Sequence, residues 1–501
     1  MKTELPRKHL VIMMLFIITA PLAFAKTQPN VIFIMADDLG YGDLGCYGAN
    51  HFETPACDRL AREGIRFTDA HSPSSVCTPT RYSVLTGRYA WRSWLKNWVV
   101  QPNHPLLIDT ERLTMGRIFQ DAGYTTTCVG KWHLGWGTEL DIDFSGEVKP
   151  GPLEVGFDSF SGVPFSHNSP KKLQVFMRDR RIVNLELGLD YDSDEAMKTT
   201  VRVLEDTAIE LSKEAVAFVE KNMDKPFFLF YPTTNIHFPL TPNSRFIGST
   251  EAGVYGEFVV EFDWAVGELL AALDRHGLTD NTIVVLTSDN GARPHEDLNG
   301  HPCNGPWRGT KRQIYEGGHR VPLIVRWPGK IKKGAVSDEV VCLTDFFATF
   351  AATLEQPVPA SAGEDSYDLS DVLLGRSYEP PLRQATVHHS VSGQFAIRKG
   401  KWKLIEGGGD GDFPRNREGK KEVKTKRPDR DPNTGKWTKL DYFRLENDGS
   451  FQLYNLDIDP EEKNNLADEH PEMVKELHSL LNRYRARGRS VPVEQVDGVN
   501  D

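Results

Sequence analysis

The stretch Cys77-Thr78-Pro79-Thr80-Arg81 sets a thiol, a proline and a cation at alternate positions ahead of the apolar turn Tyr82-Ser83-Val84-Leu85. Pro79 suits the first position of a helix, where a missing N–H costs nothing, and Thr78 is expected to cap it. Residue 77 then stands at a helix N-terminus. Free N–H groups and the positive end of the helix dipole favour an anion there, and Arg81, one turn along, can lean back towards the same point. The bland alternative is a buried cysteine before an ordinary helix. Asp37-Asp38 ends the apolar run Asn30 to Ala36 and is followed by Gly40 and Gly42. Adjacent carboxylates are costly unless a cation or solvent compensates them, so the pair is a cation site or a solvated acidic turn. Thr287-Ser288-Asp289-Asn290-Gly291 puts an acid and an amide at the end of a second apolar run. Lys131 and His133 alternate along Gly130-Lys131-Trp132-His133-Leu134-Gly135, so an extended backbone aims both into one cleft.

Buried strands must present these residues. The runs at 30–36 and 281–286 are continuously apolar and of strand length, which marks strands covered on both faces in a parallel sheet. Open α/β sheets bind ligands beyond the carboxyl ends of such strands, where Asp37-Asp38 and Asp289-Asn290 fall. Residues 124–129, 225–231 and 321–327 read as further strands, and 56–63 and 344–354 as helices. Phe258, Phe262, Val266, Leu269, Leu270 and Leu273 recur at helical spacing, so they form an amphipathic helix packed on the sheet. Residues 171–200 are polar and irregular and carry no readable chemistry.

From about residue 376 the texture changes. Residues 396–398 and 401–405 alternate around a Lys-Gly turn, an antiparallel hairpin, and Met473, Leu477, Leu480, Leu481 and Tyr484 mark a final amphipathic helix. Residues 407–439 are rich in Gly, Pro and charge, with ten Lys and Arg after Phe413. They read as a solvated insertion or as a basic lip that gathers polyanionic substrate.

A chain of 501 residues exceeds one simple core, so two domains, or one large domain with an appendage, are expected. The net charge of −11 argues against a nucleic-acid binder, because a phosphate backbone rewards a basic surface. An anionic substrate stays open, since a local cationic pocket works within an acidic protein. Lys2, Arg7 and Lys8 precede an apolar run, and Ala23-Phe24-Ala25 matches a small-residue cleavage site, so residues 1–25 read as a secretory signal peptide. The run is too short to make a stable membrane anchor. No Asn-x-Ser/Thr acceptor occurs, which favours an exported bacterial protein, periplasmic or secreted. The six cysteines are Cys46, Cys57, Cys77, Cys128, Cys303 and Cys342, an even count that in an exported protein suggests disulfides, with Cys46 and Cys57 nearest in sequence.

The stretch from Cys77 to Gly87 and the segment Gly130-Lys131-Trp132-His133-Leu134-Gly135 resemble signatures of the type I, formylglycine-dependent sulfatases of the alkaline phosphatase-like superfamily. Further matches follow in the family's order. They are Pro164-Phe165-Ser166-His167, His237-Phe238-Pro239, Lys311 ahead of Glu316-Gly317-Gly318-His319-Arg320, and Leu453-Tyr454-Asn455-Leu456. The resemblance implies an α/β fold: a large, mostly parallel sheet sandwiched by helices, with a smaller C-terminal α+β subdomain containing an antiparallel sheet. It divides the chain into a catalytic domain at 26–375 and that subdomain at 376–501.

The resemblance also implies roles. A formylglycine-generating enzyme would convert Cys77, leaving five cysteines, at least one of them unpaired. Asp37, Asp38, Asp289 and Asn290, with the modified residue 77, would hold one metal ion. An all-oxygen set suits Ca2+ or Mg2+ better than zinc, and the family favours Ca2+. Hydrated formylglycine would attack sulfur, Arg81 and Lys131 would hold the nucleophile and the sulfate oxygens, and His237 with Lys311 would protonate the departing alkoxide. His133 would then take the proton of the second hydroxyl and release sulfate. Ser166 would join the sulfate pocket. His388 and His389 are open between a place in the substrate pocket and a structural role. The substrate expected is a sulfate ester, of carbohydrate first. Two other readings compete: a phosphonate or phosphate monoester hydrolase on the same scaffold, and an exported protein that binds sulfated glycans without turnover. Every predicted catalytic position carries its expected residue type, which argues against the last.

Overall fold

The computed structural model describes residues 28–294, 298–379, 381–413 and 449–492. The expected leader and the basic segment from residue 414 on lie outside them. The architecture grows from the strand Asn30–Ala36, all seven residues of which are buried. Val31, Phe33 and Met35 enter the core on one face and Ile32, Ile34 and Ala36 the core on the other, as the two-residue period of a strand requires. A strand covered on both sides has no polar face, which is why this run carried no alternation in the sequence.

On one flank Asn30–Ala36 pairs in parallel with Thr282–Ser288 and on the other with Phe227–Pro232. Thr125–Lys131 and Ser159–Val163 continue the parallel array. These five strands are the middle of a ten-stranded sheet. Past Thr282–Ser288 the sheet becomes mixed: Leu323–Arg326 runs antiparallel to it and to Ile65–Phe67, which takes Ala335–Ser337 in parallel. At the opposite edge Met177–Arg178 and Arg181–Ile182 make a small antiparallel hairpin. That edge corrects the reading of residues 171–200 as irregular, since strands of two residues are too short to carry an alternating pattern.

Helices Cys77–Thr86, Met115–Asp121 and Phe346–Thr353 fill one face of the sheet, where Phe119 stacks on Phe228 at 4.0 Å between centroids. Pro55–Glu63, Thr207–Lys221 and Gly253–Arg275 cover the other. Among the described residues no helix is long and apolar enough to cross a membrane.

The strands Thr386–His389, Phe395–Lys399, Trp402–Glu406 and Phe451–Asn455 form a separate antiparallel sheet. Helix Pro471–Arg487 packs Leu477, Leu480, Leu481 and Tyr484 against Val387, Ile397, Leu404 and Leu453 on one of its faces. On the other, Ala396, Ile405 and Tyr454 meet Ile314 and Tyr315, just after Lys311. The second sheet thus buttresses the loop that carries one of the expected site residues. The α/β class and the added antiparallel sheet agree with expectation, and all six cysteines are unbridged.

Candidate active site

The ends of neighbouring parallel strands bring the acidic residues together. Asp37 and Asp38 follow Asn30–Ala36, and Asp289 and Asn290 follow its partner Thr282–Ser288. Asp38 adopts a left-handed backbone, φ 71°, which aspartate tolerates better than most residues. Its N–H donates to Asp289 Oδ1 at 3.2 Å, and Asn290 Nδ2 donates to Asp38 Oδ1 at 2.8 Å. Asn290 Nδ2 also donates to the Gly291 carbonyl, so the amide is oriented by its nitrogen. Its Oδ1 is buried with no hydrogen-bond partner among the described residues.

Helix Cys77–Thr86 opens against this cluster, all ten residues buried. Its cap is Val76, extended at φ −146° and ψ 156°, and the cap uses no side chain. The expected cap at Thr78 is therefore corrected: Thr78 lies inside the helix, where its hydroxyl donates to the His133 carbonyl at 2.9 Å and accepts from the Val100 N–H at 3.2 Å. Pro79 is the third helical residue, not the first. The first four N–H groups of a helix have no internal acceptor, so the proline still costs no bond. Cys77 stands at the helix start as expected. Arg81 binds Asp289 Oδ2 through Nε at 3.0 Å and Nη2 at 2.7 Å, and donates through Nη1 to the Lys131 carbonyl at 2.9 Å.

Each remaining carboxylate has its own cation. Lys131 Nζ holds both oxygens of Asp37, at 2.9 and 2.8 Å, and Lys311 Nζ holds both of Asp38, at 2.5 and 2.7 Å. Lys311 Nζ is also 3.6 Å from Cys77 Sγ. His237 Nε2 is 3.9 Å from Asp38 Oδ2 and 3.2 Å from the Ser166 hydroxyl, which brings the weakest of the expected residues into the group. Its Nδ1 faces the Phe238 carbonyl at 2.6 Å. A carbonyl only accepts, so in the neutral ring Nδ1 carries the hydrogen and Nε2 is the free base. His133, at φ 54°, is oriented the other way round: Nε2 donates to the Val100 carbonyl at 3.2 Å, leaving Nδ1 buried without a partner among the described residues.

Burial and charge set the protonation states. Burial opposes ionisation of Asp38, but Lys311 and then His237 and Lys131 outweigh it and hold the carboxyl below the usual range. Asp289 goes the other way: burial, with Asp37 and Asp38 nearby, raises it to about 6 against the pull of Arg81. Burial pushes the Cys77 thiol up to about 11 despite Lys131 and Lys311. A thiol held protonated at neutral pH is a poor nucleophile. Burial first, then the surrounding cations, lower both His133 and His237 well below an ordinary histidine.

These donors fit a hard cation. Ligand atoms of Asp37, Asp38, Cys77 and His237 lie within 4.8 Å of one another, Asp289 and Asn290 each contact Asp38, and the Asn290 amide oxygen is buried without a partner among the described residues. The Cys77 sulfur stands for the oxygen that a modified residue would present. The group opens into a cleft of about 300 Å³ whose wall includes Trp98, Gln101, Asn168, Arg293 and Arg312. The sequence reading passed over these five, for they sit in loops without motif or period; a cation three residues after Asn290 was the one available signal. His388 and His389 lie elsewhere. His388 is buried with its ring stacked on His319, 3.9 Å between centroids, and His389 is buried at the Pro73 to Ser75 segment, so the structural alternative holds for both.

Comparison with known proteins identifies the family. The family model described as Sulfatase matches residues 29–355, and one described as N-sulphoglucosamine sulphohydrolase, C-terminal, matches 307–412. The chain is 36% identical to an N-acetylgalactosamine-6-O-sulfatase of Bacteroides thetaiotaomicron, over 92% of this chain and 94% of that protein. It is also 36% identical to human arylsulfatase A, over 78% and 77%. A solved structure from work on the metabolism of multiple glycosaminoglycans by Bacteroides thetaiotaomicron superposes with a TM-score of 0.80 at 35% identity, covering 92% of this chain and all of that one. A sulfatase structure from Pseudoalteromonas gives 0.69 at 26% identity, over 94% and 92%. With the first family model spanning well over half of the sequence and such relatives matched along most of it, the chain belongs to the sulfatase family of sulfuric ester hydrolases.

Proposed function

We propose that this sulfatase removes sulfate from sulfated carbohydrates, using formylglycine made from Cys77 by a maturation enzyme and one Ca2+ ion. The observation that carries the reading is the Asn290 Oδ1 atom, buried and unpartnered beside three carboxylates at the helix start that holds Cys77. Asp37, Asp38, Asp289 and Asn290 would hold the ion, with residue 77. When present, these two groups supply a Lewis acid for the sulfate oxygens and an oxygen nucleophile.

The chain's own residues do the rest. Arg81 and Lys131 fix the carboxylates and would hold the nucleophile and the sulfate oxygens, while Lys311, 3.6 Å from Cys77 Sγ, meets the charge of an incoming sulfate. His237 Nε2, the free base in the neutral ring, faces the same cleft as Ser166. An anionic substrate favours its protonated form, from which it donates to the departing sugar oxygen, with Lys311 alongside. His133 offers its unpartnered Nδ1 to the proton that must leave residue 77 when sulfate is released. Residues 26–375 would be the catalytic domain and 376–501 the subdomain that supports it, in a protein exported by a signal peptide at 1–25.

Similarity to an N-acetylgalactosamine-6-O-sulfatase makes 6-sulfated N-acetylgalactosamine the first substrate to test. Protein co-produced with a formylglycine-generating enzyme, with residue 77 checked by peptide mass, is given a panel of sulfated mono-, oligo- and polysaccharides, and sulfate is measured by ion chromatography. Release from one linkage, lost in Cys77→Ala protein that folds normally, is expected. Undiminished release by Cys77→Ala would overturn the nucleophile, and turnover of phosphonate or phosphate monoesters alone would move the protein to that chemistry.

A further inference from the structure

Most cations around the cleft are already engaged. Arg81 is held by Asp289, Lys131 by Asp37 and Lys311 by Asp38. Arg312 lies 2.8 Å from Asp412 with its guanidinium over the Trp98 ring, 5.0 Å from the centroid. Arg293 differs: it is exposed, lines the same cleft and makes no ion pair or hydrogen bond with any described residue. The backbone just before it is nevertheless pinned. Ala292, the residue before it, accepts from the Lys311 N–H at 2.9 Å, and Asn304 brackets Ala292 by accepting from its N–H at 2.8 Å and donating to its carbonyl at 3.1 Å. Arg293 is therefore rooted one residue from the backbone that aims Lys311 at Cys77. The cleft of about 300 Å³ also has room for more than a sulfate group, being at the lower end of pockets that take whole small ligands.

A free guanidinium on a pinned backbone, facing a cleft in a protein of net charge −11, is suited to an anion brought by the substrate. Its planar fork matches a carboxylate or a sulfate with two parallel hydrogen bonds. We propose that Arg293 binds a second anionic group of the substrate, so that the cleft selects saccharides bearing an acid group besides the sulfate that is removed. The proposal rests on the reading of this cleft as a carbohydrate sulfatase site. Gln101, Asn168 and Ser169 supply neutral donors and acceptors for the hydroxyls between the two anions.

The test compares wild type, Arg293→Lys and Arg293→Gln on three probes. These are 6-sulfated N-acetylgalactosamine, the same sugar linked to a hexuronic acid, and the same sugar with a second sulfate. For a doubly anionic probe, the ratio of kcat/KM to that of the singly anionic sugar is expected to fall about 10- to 100-fold in Arg293→Gln, mostly through KM, with partial recovery in Arg293→Lys. A fall confined to the hexuronic acid probe assigns a carboxylate, and one confined to the disulfated probe assigns a sulfate. An unchanged ratio for both, or an equal loss on all three probes, would overturn the subsite. Wild-type inactivity on all three would remove 6-sulfated N-acetylgalactosamine as the substrate instead, and failure across the whole saccharide panel would defeat the carbohydrate sulfatase reading. Calorimetric binding of the two doubly anionic probes then reads Arg293 separately, weaker binding by Arg293→Gln supporting it and equal binding rejecting it.

Discussion

Asn290 has its nitrogen satisfied twice and its oxygen, among the described residues, not at all. A buried carbonyl oxygen without a partner costs about 1–3 kcal/mol, which a bound hard cation would recover. Ca2+ at a hundred times its dissociation constant is accordingly expected to stabilise the fold by about 2.7 kcal/mol, and a chelator to remove that increment. Asn290→Ala should shrink the Ca2+-dependent rise in Tm measured by scanning calorimetry; an undiminished rise would take Asn290 out of the ligand set. Asp289→Asn should act in a second way as well. Arg81 is fully buried and keeps, after that change, a single carboxylate, Asp37 at 3.5 Å, beside the Lys131 carbonyl at 2.9 Å. Leaving a buried cation short of its partner costs about 3–5 kcal/mol, so urea denaturation in chelator should already find Asp289→Asn weakened, and by more than Asn290→Ala, which loses only the two hydrogen bonds of its amide nitrogen. The ligand residues were legible because each closes an apolar strand. Which cation holds which carboxylate was not, since the order of strands in the sheet decides it and adjacent sequence does not.

Strand ends also depend on how closely the backbones approach. At Gly130, φ 132°, a Cβ would stand 1.9 Å from the Pro232 carbonyl oxygen of the neighbouring strand. At Gly162 a Cβ would stand 1.9 Å from the oxygen of Gly130 itself. Neither contact has a flexible side chain to yield, so Gly130→Ala must push apart the strands on either side of Lys131. The expected cost is at least about 2 kcal/mol by chemical denaturation, together with a loss of kcat/KM as Lys131 leaves Asp37. Wild-type stability and turnover in Gly130→Ala would mean that the sheet opens there without strain. The glycine and lysine of this segment were readable as a motif, but the strand was read to end at residue 129 and runs to Lys131. The helix at Cys77 was similarly placed two residues late, because proline at the first and third helical positions leaves the same local signal.

At the scale of the whole molecule, the two sheets are joined by a buried polar network that the sequence did not announce, with bonded partners standing up to 329 residues apart. From the second sheet Arg398 reaches Asp69 at 2.7 Å, and Lys403 reaches Glu316 at 3.1 Å and Glu462 at 2.8 Å. Arg320 adds a bond to Glu316 at 3.1 Å. Three histidines fill the space between: His71 bonds Asp69 at 2.6 Å and touches His319 Nδ1 at 3.1 Å, and His319 stacks on His388. With Glu462 ionised the three acids and three cations balance, so a proton added to the rings is surplus charge. Burial first, with the neighbouring cations and rings, lowers His71, His319 and His388 below an ordinary histidine, while burial raises Glu462 to about 7. In the unfolded chain the histidines titrate near ~6.5, so below that pH the unfolded state binds more protons and stability falls. Three histidines would give a slope of about 4 kcal/mol per pH unit. Glu462 opposes by one proton, being protonated in the fold and ionised in the unfolded chain from roughly pH 4.5 to 7, which leaves about 2.7 kcal/mol per unit from this network. Urea denaturation of the whole chain between pH 5 and 7 should therefore show stability dropping as the pH falls. His388→Gln should flatten that slope by about 1.4 kcal/mol per unit, the contribution of one proton. An identical slope in His388→Gln would mean that His388 takes up its proton inside the fold as readily as in water, and that the junction between the two sheets is wetter than its burial implies.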